Sequence, residues 1–301
     1  MRALITGAGG FVGRHLVDLL TSAGDDVTES ATDITDRDEL IATFADAAPD
    51  VVYHLAAQSD VGGSWDSPIE TYRVNVEGTV NVLDSARFAG ATRVLAVTSA
   101  DIYGQVHESD LPLTETQPLQ PVNPYAASKA AAEMVCIQAG LGHGLDVIRV
   151  RSFNHLGPGQ SDRFVASAIA SRIAHNEMNG NPSIPVGNLA ARRDFTDVRD
   201  VVRAYHLLMI NGQPGETYHV CSGVDLPVSE LADTLLSLSA APMHLAPDPS
   251  LLRPVDLPVL RGDNGKLRDD TGWVPEIPIE QTLRDLLQYW RQIASAPTSC
   301  H

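Results

Sequence analysis

Lysine is nearly absent from this chain: of its 21 Lys+Arg residues, only Lys129 and Lys266 are lysines. Cysteine and aromatic side chains are also sparse, with Cys136, Cys221 and Cys300 the only cysteines and 5% aromatic residues. Three cysteines at these spacings fit neither a disulfide framework nor a paired metal-ligand pattern, which excludes a stapled miniprotein. The ten histidines fall in no H-x-x-x-H or H-E-x-x-H spacing, so no metal site is expected. No run of about 18 or more apolar residues occurs, and the stretch Met1 to Gly7 reads as the start of a strand, not as a basic, apolar and then small-residue signal. Basic charge is short: 38 Asp+Glu against 21 Lys+Arg leave a net charge of -17. Nucleic acid and anionic membranes need a phosphate-neutralising basic patch, so neither is an expected partner. A soluble chain in a reducing cytoplasm is the expectation.

What is present is an ordinary globular composition, 301 residues with 44% hydrophobic and 20% charged side chains. At about 150 residues per domain this length suggests two folding units. The first half alternates short apolar runs with helical patterns: Arg2 to Thr6, Phe11 to Ser22, Asp26 to Ser30 and Val51 to Leu55. Thr71 to Arg87 reads as a helix, Arg93 to Thr98 as a strand, Tyr125 to Leu141 as a helix and Leu145 to Arg149 as a strand. Strands alternating with helices imply right-handed βαβ units, and so an α/β fold with a doubly wound parallel sheet of the Rossmann type. After about residue 155 the connections become richer in proline and glycine, so a smaller C-terminal substrate lobe is expected. The division is a dinucleotide-binding domain over 1–155, receiving about 187–222 as well, and a lobe over 156–186 and 223–301. Ala240 to Pro258 holds five prolines and reads as an irregular connection, and Gln281 to Ala294 as an amphipathic helix.

Two motifs carry chemistry. Gly7-Ala8-Gly9-Gly10-Phe11-Val12-Gly13 lies between the first strand and the first helix. Glycines there allow a tight turn and close backbone approach to a pyrophosphate, which then sits on free helix N–H groups. Tyr125 and Lys129 stand four residues apart on a helix that opens with Asn123-Pro124. They share one face, where the ammonium is expected to depress the phenol pKa and make Tyr125 an acid or base near neutral pH. Such a pair taken alone is usually an exposed helix contact. Ser99, at the end of the Arg93 to Thr98 strand, changes the reading, because ligands in open α/β sheets bind at those strand ends.

With these motifs in hand, the chain resembles the extended short-chain dehydrogenase/reductase family acting on nucleotide sugars, over essentially its whole length. His54-Leu55-Ala56-Ala57, Asn75-Val76-Glu77-Gly78-Thr79 and Arg151 through Gln160 belong to the resemblance. Phe153 to Gln160, Val186 to Leu189 running into Arg193 to Asp200, and Leu252 to Asp256 are similar to its GDP-sugar branch of dehydratases and reductases. This implies NADP(H) or NAD(H) held by Gly7, Gly10, Phe11, Val12, Gly13, Asp33, Ile34, Leu55, Ala56, Ala57, Tyr125 and Lys129. It further implies a GDP-sugar held by Ser59, Ser64, Asn154, Val186, Gly187, Asn188, Arg193, Arg253 and Asp256, with Asn154 on the diphosphate, Arg193 and Arg253 on the diphosphate or ribose, and Val186 to Leu189 around guanine. Gln58 lies where the family contacts sugar hydroxyls. A homodimer, formed through the Thr71 to Arg87 and Tyr125 helices, is also implied.

The chain departs from the family pattern twice. The second strand ends in Ala31-Thr32, neither the acid that selects NAD nor the arginine that selects NADP, and leaves Glu29 and Arg37 as the nearest candidates. Two residues after Ser99 stands Asp101, where dehydratases of the family place a glutamate. Ketone reduction needs only Ser99, Tyr125, Lys129 and the cofactor, whereas dehydration needs a further acid/base pair for which Asp101 is the one matching candidate. The expected activity is therefore NAD(P)H-dependent reduction of the C4 ketone of a GDP-4-keto-6-deoxyhexose to a GDP-6-deoxyhexose. A 4,6-dehydratase or 4-epimerase with tightly bound NAD is the enzymatic alternative, and a dinucleotide-binding regulator the non-enzymatic one.

Overall fold

The computed structural model describes residues 1–252 and 257–296. Its first half runs β1 (Arg2–Thr6), α1 (Phe11–Ser22), β2 (Asp26–Ser30), α2 (Arg37–Ala47), β3 (Val51–His54), α3 (Gly63–Asp66), α4 (Pro68–Tyr72), α5 (Gly78–Phe88), β4 (Arg93–Val97), α6 (Pro124–His143) and β5 (Asp146–Ser152). Six strands form one parallel sheet in the order β2-β1-β3-β4-β5 followed by Thr217–Val220. Successive strand residues point to opposite faces. Ile5, Tyr53, Leu95 and Val150 share one core with Leu16 and Leu20 of α1 and with Tyr205 and Leu208 of the helix Val198–Asn211. Leu4, Val52 and Val94 share the other with Leu40 and Phe44 of α2, Val82 of α5 and Cys136 of α6. Both faces are covered by helices, as a parallel sheet requires. This is the expected doubly wound α/β fold.

Chain order reverses between β1 and β3, which opens the crevice at the C-terminal ends of those strands. The helix expected over Thr71 to Arg87 starts earlier, at Pro68, and passes through one π-helical stretch, Arg73–Glu77, between α4 and α5. The π stretch carries Asn75, whose buried side chain reaches across to the loop after β3 and to α6.

A third core gathers the helices Val165–Asn179, Val228–Ser237 and Ile279–Ser295. Beside it, Arg192–Asp197 is the centre of a small sheet with Asp225–Pro227, Val259–Leu260 and Asn154–Leu156. The stretch 187–222 is thus divided, its first strand in this small sheet and its helix and last strand on the large one. The segment read as an irregular connection contains a strand: His244–Pro247 pairs in parallel with Ser183–Val186. Its prolines obscured the strand, but a two-stranded ribbon is all edge, where proline's missing N–H is tolerated.

Candidate active site

The site is built first by the turn after β1. Gly7 has φ +75, and a Cβ on it would lie 2.7 Å from the backbone nitrogen of Ala56. On Gly13 a Cβ would lie 2.2 Å from the Gly7 carbonyl oxygen. Only glycine lets the turn fold this tightly against β3 and α1. Gly10 caps α1 without any side-chain hydrogen bond, so the first N–H groups of the helix face the crevice as an anion cradle.

A buried relay fixes this turn. The Ala56 N–H donates to Thr6 Oγ1 (3.4 Å), Thr6 Oγ1 meets His54 Nδ1 (2.8 Å), His54 Nε2 meets Thr79 Oγ1 (3.1 Å), and Thr79 donates to the Asn75 carbonyl (2.6 Å). Because Thr79 spends its proton on Asn75, His54 must donate from Nε2 and accept at Nδ1. Burial pushes the imidazole down to about 3, which keeps it neutral in that role.

α6 brings the acid/base groups. Asn123 accepts the Ala126 N–H at 2.7 Å and Pro124 occupies the first turn, so the helix begins just before Tyr125. Tyr125, Lys129 and Glu133 form one buried stripe at four-residue spacing. Lys129 Nζ donates to the Val97 carbonyl at 3.0 Å, Thr98 Oγ1 donates to Glu133 at 3.1 Å, and Arg151 forks onto the same carboxylate. The end of β4 is thereby clamped to α6, and Ser99, just beyond it, borders the same cavity as Tyr125 while its Oγ accepts the Asp101 N–H at 3.2 Å.

The electrostatics differ from the expectation. Burial raises the Tyr125 phenol, the nearby Asp101 carboxylate adds to this, and the Ser99 hydrogen bond only partly opposes it. Lys129 is directed at the Val97 carbonyl, and its own ammonium is lowered by burial to about 8. Tyr125 therefore rests protonated, which is a proton donor's resting state.

Two cavities of about 340 Å³ each open here. Gly7, Gly10, Phe11, Val12, Gly13, Leu55, Ala56, Ala57, Ser59, Ser99, Asp101, Tyr125 and Lys129 all border one of them. Asn154, Val186, Gly187, Asn188 and Arg193 border the other. The two share a wall of Asn154, His155, Gln160 and Phe164. The main chain at Gly187 passes so close to the segment Pro249–Leu251 that a Cβ would lie 2.7 Å from the Leu251 carbonyl oxygen.

Three of the residues expected to make contacts border neither cavity. Ser64 is fully buried, with its hydroxyl donating to the Val61 carbonyl and accepting the Tyr125 N–H, so it supports α6 from outside both cavities. Ile34 is packed in the core against α5, with its carbonyl held by Asn81. Asp33 borders neither cavity and accepts both the backbone and hydroxyl donors of Thr35, which hold its carboxyl below the usual range. Arg37 lies 3.7 Å from Asp84, and Arg253 and Asp256 lie outside the described residues. The motif reading missed Ser152 and Tyr205, whose hydroxyls meet at 2.6 Å in the wall of the first cavity. Tyr205 comes from a helix 80 residues beyond Tyr125, with no local signature to announce it.

The model of the GDP-mannose 4,6 dehydratase family matches residues 27–286. The chain belongs to this family. Among its relatives, the GDP-6-deoxy-D-mannose reductase of Pseudomonas aeruginosa is 38% identical over 295 residues, covering 96% of this chain and 97% of that protein. The GDP-mannose 4,6-dehydratase of Yersinia enterocolitica is 28% identical over 287 residues, covering 85% and 76%. Of solved structures, RMD from Pseudomonas aeruginosa complexed with NADPH superposes with a TM-score of 0.90 at 36% identity, covering 97% of this chain and 100% of that one. Among the described residues no helix is long and apolar enough to cross a membrane.

Proposed function

We propose that the protein reduces the C4 ketone of a GDP-4-keto-6-deoxyhexose to the GDP-6-deoxyhexose, using NADPH or NADH. The observation that carries this reading is the shared wall: a cavity with an anion cradle and a proton-donating tyrosine abuts a second cavity of equal volume. The uncapped start of α1 and the close-packed Gly7 and Gly13 fit a dinucleotide pyrophosphate, and a bound reduced nicotinamide supplies hydride. Tyr125 donates its hydroxyl proton to the oxygen left at C4. Ser99 holds that hydroxyl, and Lys129, displaced from Val97, stabilises the phenolate that remains. Arg193 and Asn154 hold the diphosphate, and Val186, Gly187 and Asn188 enclose the base. Residues 1–155 with Val198–Asn211 and Thr217–Val220 form the cofactor unit, and the remainder holds the sugar nucleotide.

The 38% identity to a GDP-6-deoxy-D-mannose reductase and the likeness to an NADPH complex support this choice. A 4,6-dehydratase is the second reading, favoured by the placement of Asp101 in the same cavity near Tyr125. Absorbance of reduced nicotinamide, followed with GDP-4-keto-6-deoxymannose, separates the two. Loss of signal, abolished in Tyr125→Phe, supports the reductase; no loss, together with conversion of GDP-mannose without added cofactor, supports the dehydratase. The exposed Tyr72, Val80, Phe88, Met134 and Leu141 near or on α5 and α6 support a homodimer, which light scattering tests. The buried free thiols of Cys136 and Cys221 are consistent with action in the cytoplasm.

A further inference from the structure

We infer that the side-chain carbonyl of Gln160 accepts a hydroxyl of the substrate's hexose ring, which makes Gln160 a sugar-recognising residue where the two cavities meet. This rests on the reading of those cavities as cofactor and sugar-nucleotide sites. Gln160 is only 5% exposed and borders both. Three of its four polar atoms have partners within the protein. Its N–H donates to the Gly157 carbonyl (3.2 Å), its carbonyl accepts from Ser167 Oγ (2.6 Å), and its Nε2 donates to the His155 carbonyl (2.8 Å). The last bond fixes which way the amide points, since the reverse orientation would set two carbonyl oxygens against each other. Oε1 is left buried with no hydrogen-bond partner.

A buried acceptor without a donor is unfavourable, and the chemistry of what could relieve it is narrow. Oε1 can only accept. The diphosphate, ionised at neutral pH, offers acceptors alone and cannot be its partner. On that reading the base is enclosed by Val186, Gly187 and Asn188, which border the second cavity and not the first. A substrate whose C4 meets Tyr125 in one cavity and whose base lies in the other must pass its hexose along the shared wall, which Gln160 forms together with Asn154, His155 and Phe164. Ring hydroxyls supply donors there.

The test is calorimetric and independent of turnover, with GDP, GDP-mannose and the monodeoxy analogues of GDP-mannose as probes. Wild-type protein should bind GDP-mannose more tightly than GDP, and one monodeoxy analogue should lose about tenfold, the worth of one such hydrogen bond. Gln160→Leu and Gln160→Met should erase that difference between mannose and its deoxy analogue while affinity for GDP falls less. Loss of His155 support alone would weaken GDP and GDP-mannose equally, and that outcome overturns the inference. So does a wild-type protein indifferent to every ring hydroxyl, a result that needs no variant to fold. Failure of the wild-type protein to bind GDP at all would overturn the sugar-nucleotide reading itself.

Discussion

The imidazole of His155 stacks on the ring of Phe11, with centroids 6.0 Å apart and planes 18° from parallel. Phe11 belongs to the glycine turn and borders only the first cavity, whereas His155 borders both. His155 Nδ1 is tied to the Phe153 carbonyl at 3.1 Å, so the ring is held on both sides. The contact joins the walls of the two cavities mechanically. Phe11→Ala is therefore expected to lower affinity for GDP by about 2- to 10-fold, the worth of one aromatic contact, although Phe11 lies outside the GDP cavity. Calorimetry with GDP measures this, and an unchanged dissociation constant would break the proposed link.

Lys129 gives a pH dependence with a definite sign. Its ammonium is lowered from 10.5 to about 8 by burial, so between those values the folded protein binds fewer protons than the unfolded chain. Its contribution makes stability rise as pH climbs through that window, while the ketone-reducing activity falls because the charge that stabilises the Tyr125 phenolate is lost. Lys129→Met should remove the rise, gain about 1–3 kcal/mol at pH 7 from the relieved burial of charge, and lose activity. Urea denaturation at pH 7 and pH 10 checks it; a variant less stable than wild type at pH 7 contradicts the account.

Asp194 is fully buried, and its two oxygens receive the Ser222 N–H and hydroxyl together with the Gly223 and Gly262 N–H groups. Burial raises its carboxyl from 3.8 to about 6. A folded-state value above the unfolded one means that this group's contribution to stability falls as pH rises from about 4 to 6. Asp194→Asn removes the charge but sets an NH2 group against backbone donors, and should cost about 2–4 kcal/mol at pH 7. Chemical denaturation that shows the asparagine variant at or above wild-type stability would refute this.

Gly187→Ala places a methyl group against the Leu251 carbonyl oxygen, 2.7 Å away. The segment has to move or the second cavity has to narrow. Affinity for GDP should fall by about tenfold or more, as for an overpacked site, while NADPH binding stays within about twofold. Equal losses for both ligands would mean that the two cavities are not separate sites.

Each feature that was legible in the chain depends on neighbours in sequence. The glycine turn, the Asn123-Pro124 helix start, the four-residue step from Tyr125 to Lys129 and the alternating strands all follow from local backbone sterics and periodicity. Ser64 was misplaced because its position in the chain is compatible either with the cavity or with the space beneath α6, and packing chose the second. The strand His244–Pro247 was hidden because its partner, Ser183–Val186, lies about sixty residues earlier. The same holds for Ser152 and Tyr205.

The parallel α/β order, the glycine turn and the residues able to donate a proton follow from the chain read alone. Where Lys129 points, the raised phenol of Tyr125 and the unpaired Gln160 carbonyl in a wall common to two cavities come from the folded packing. These depend on burial and on partners brought in from distant segments. A residue's protonation and its unsatisfied hydrogen bonds are properties of the space around it, which no run of neighbouring letters contains.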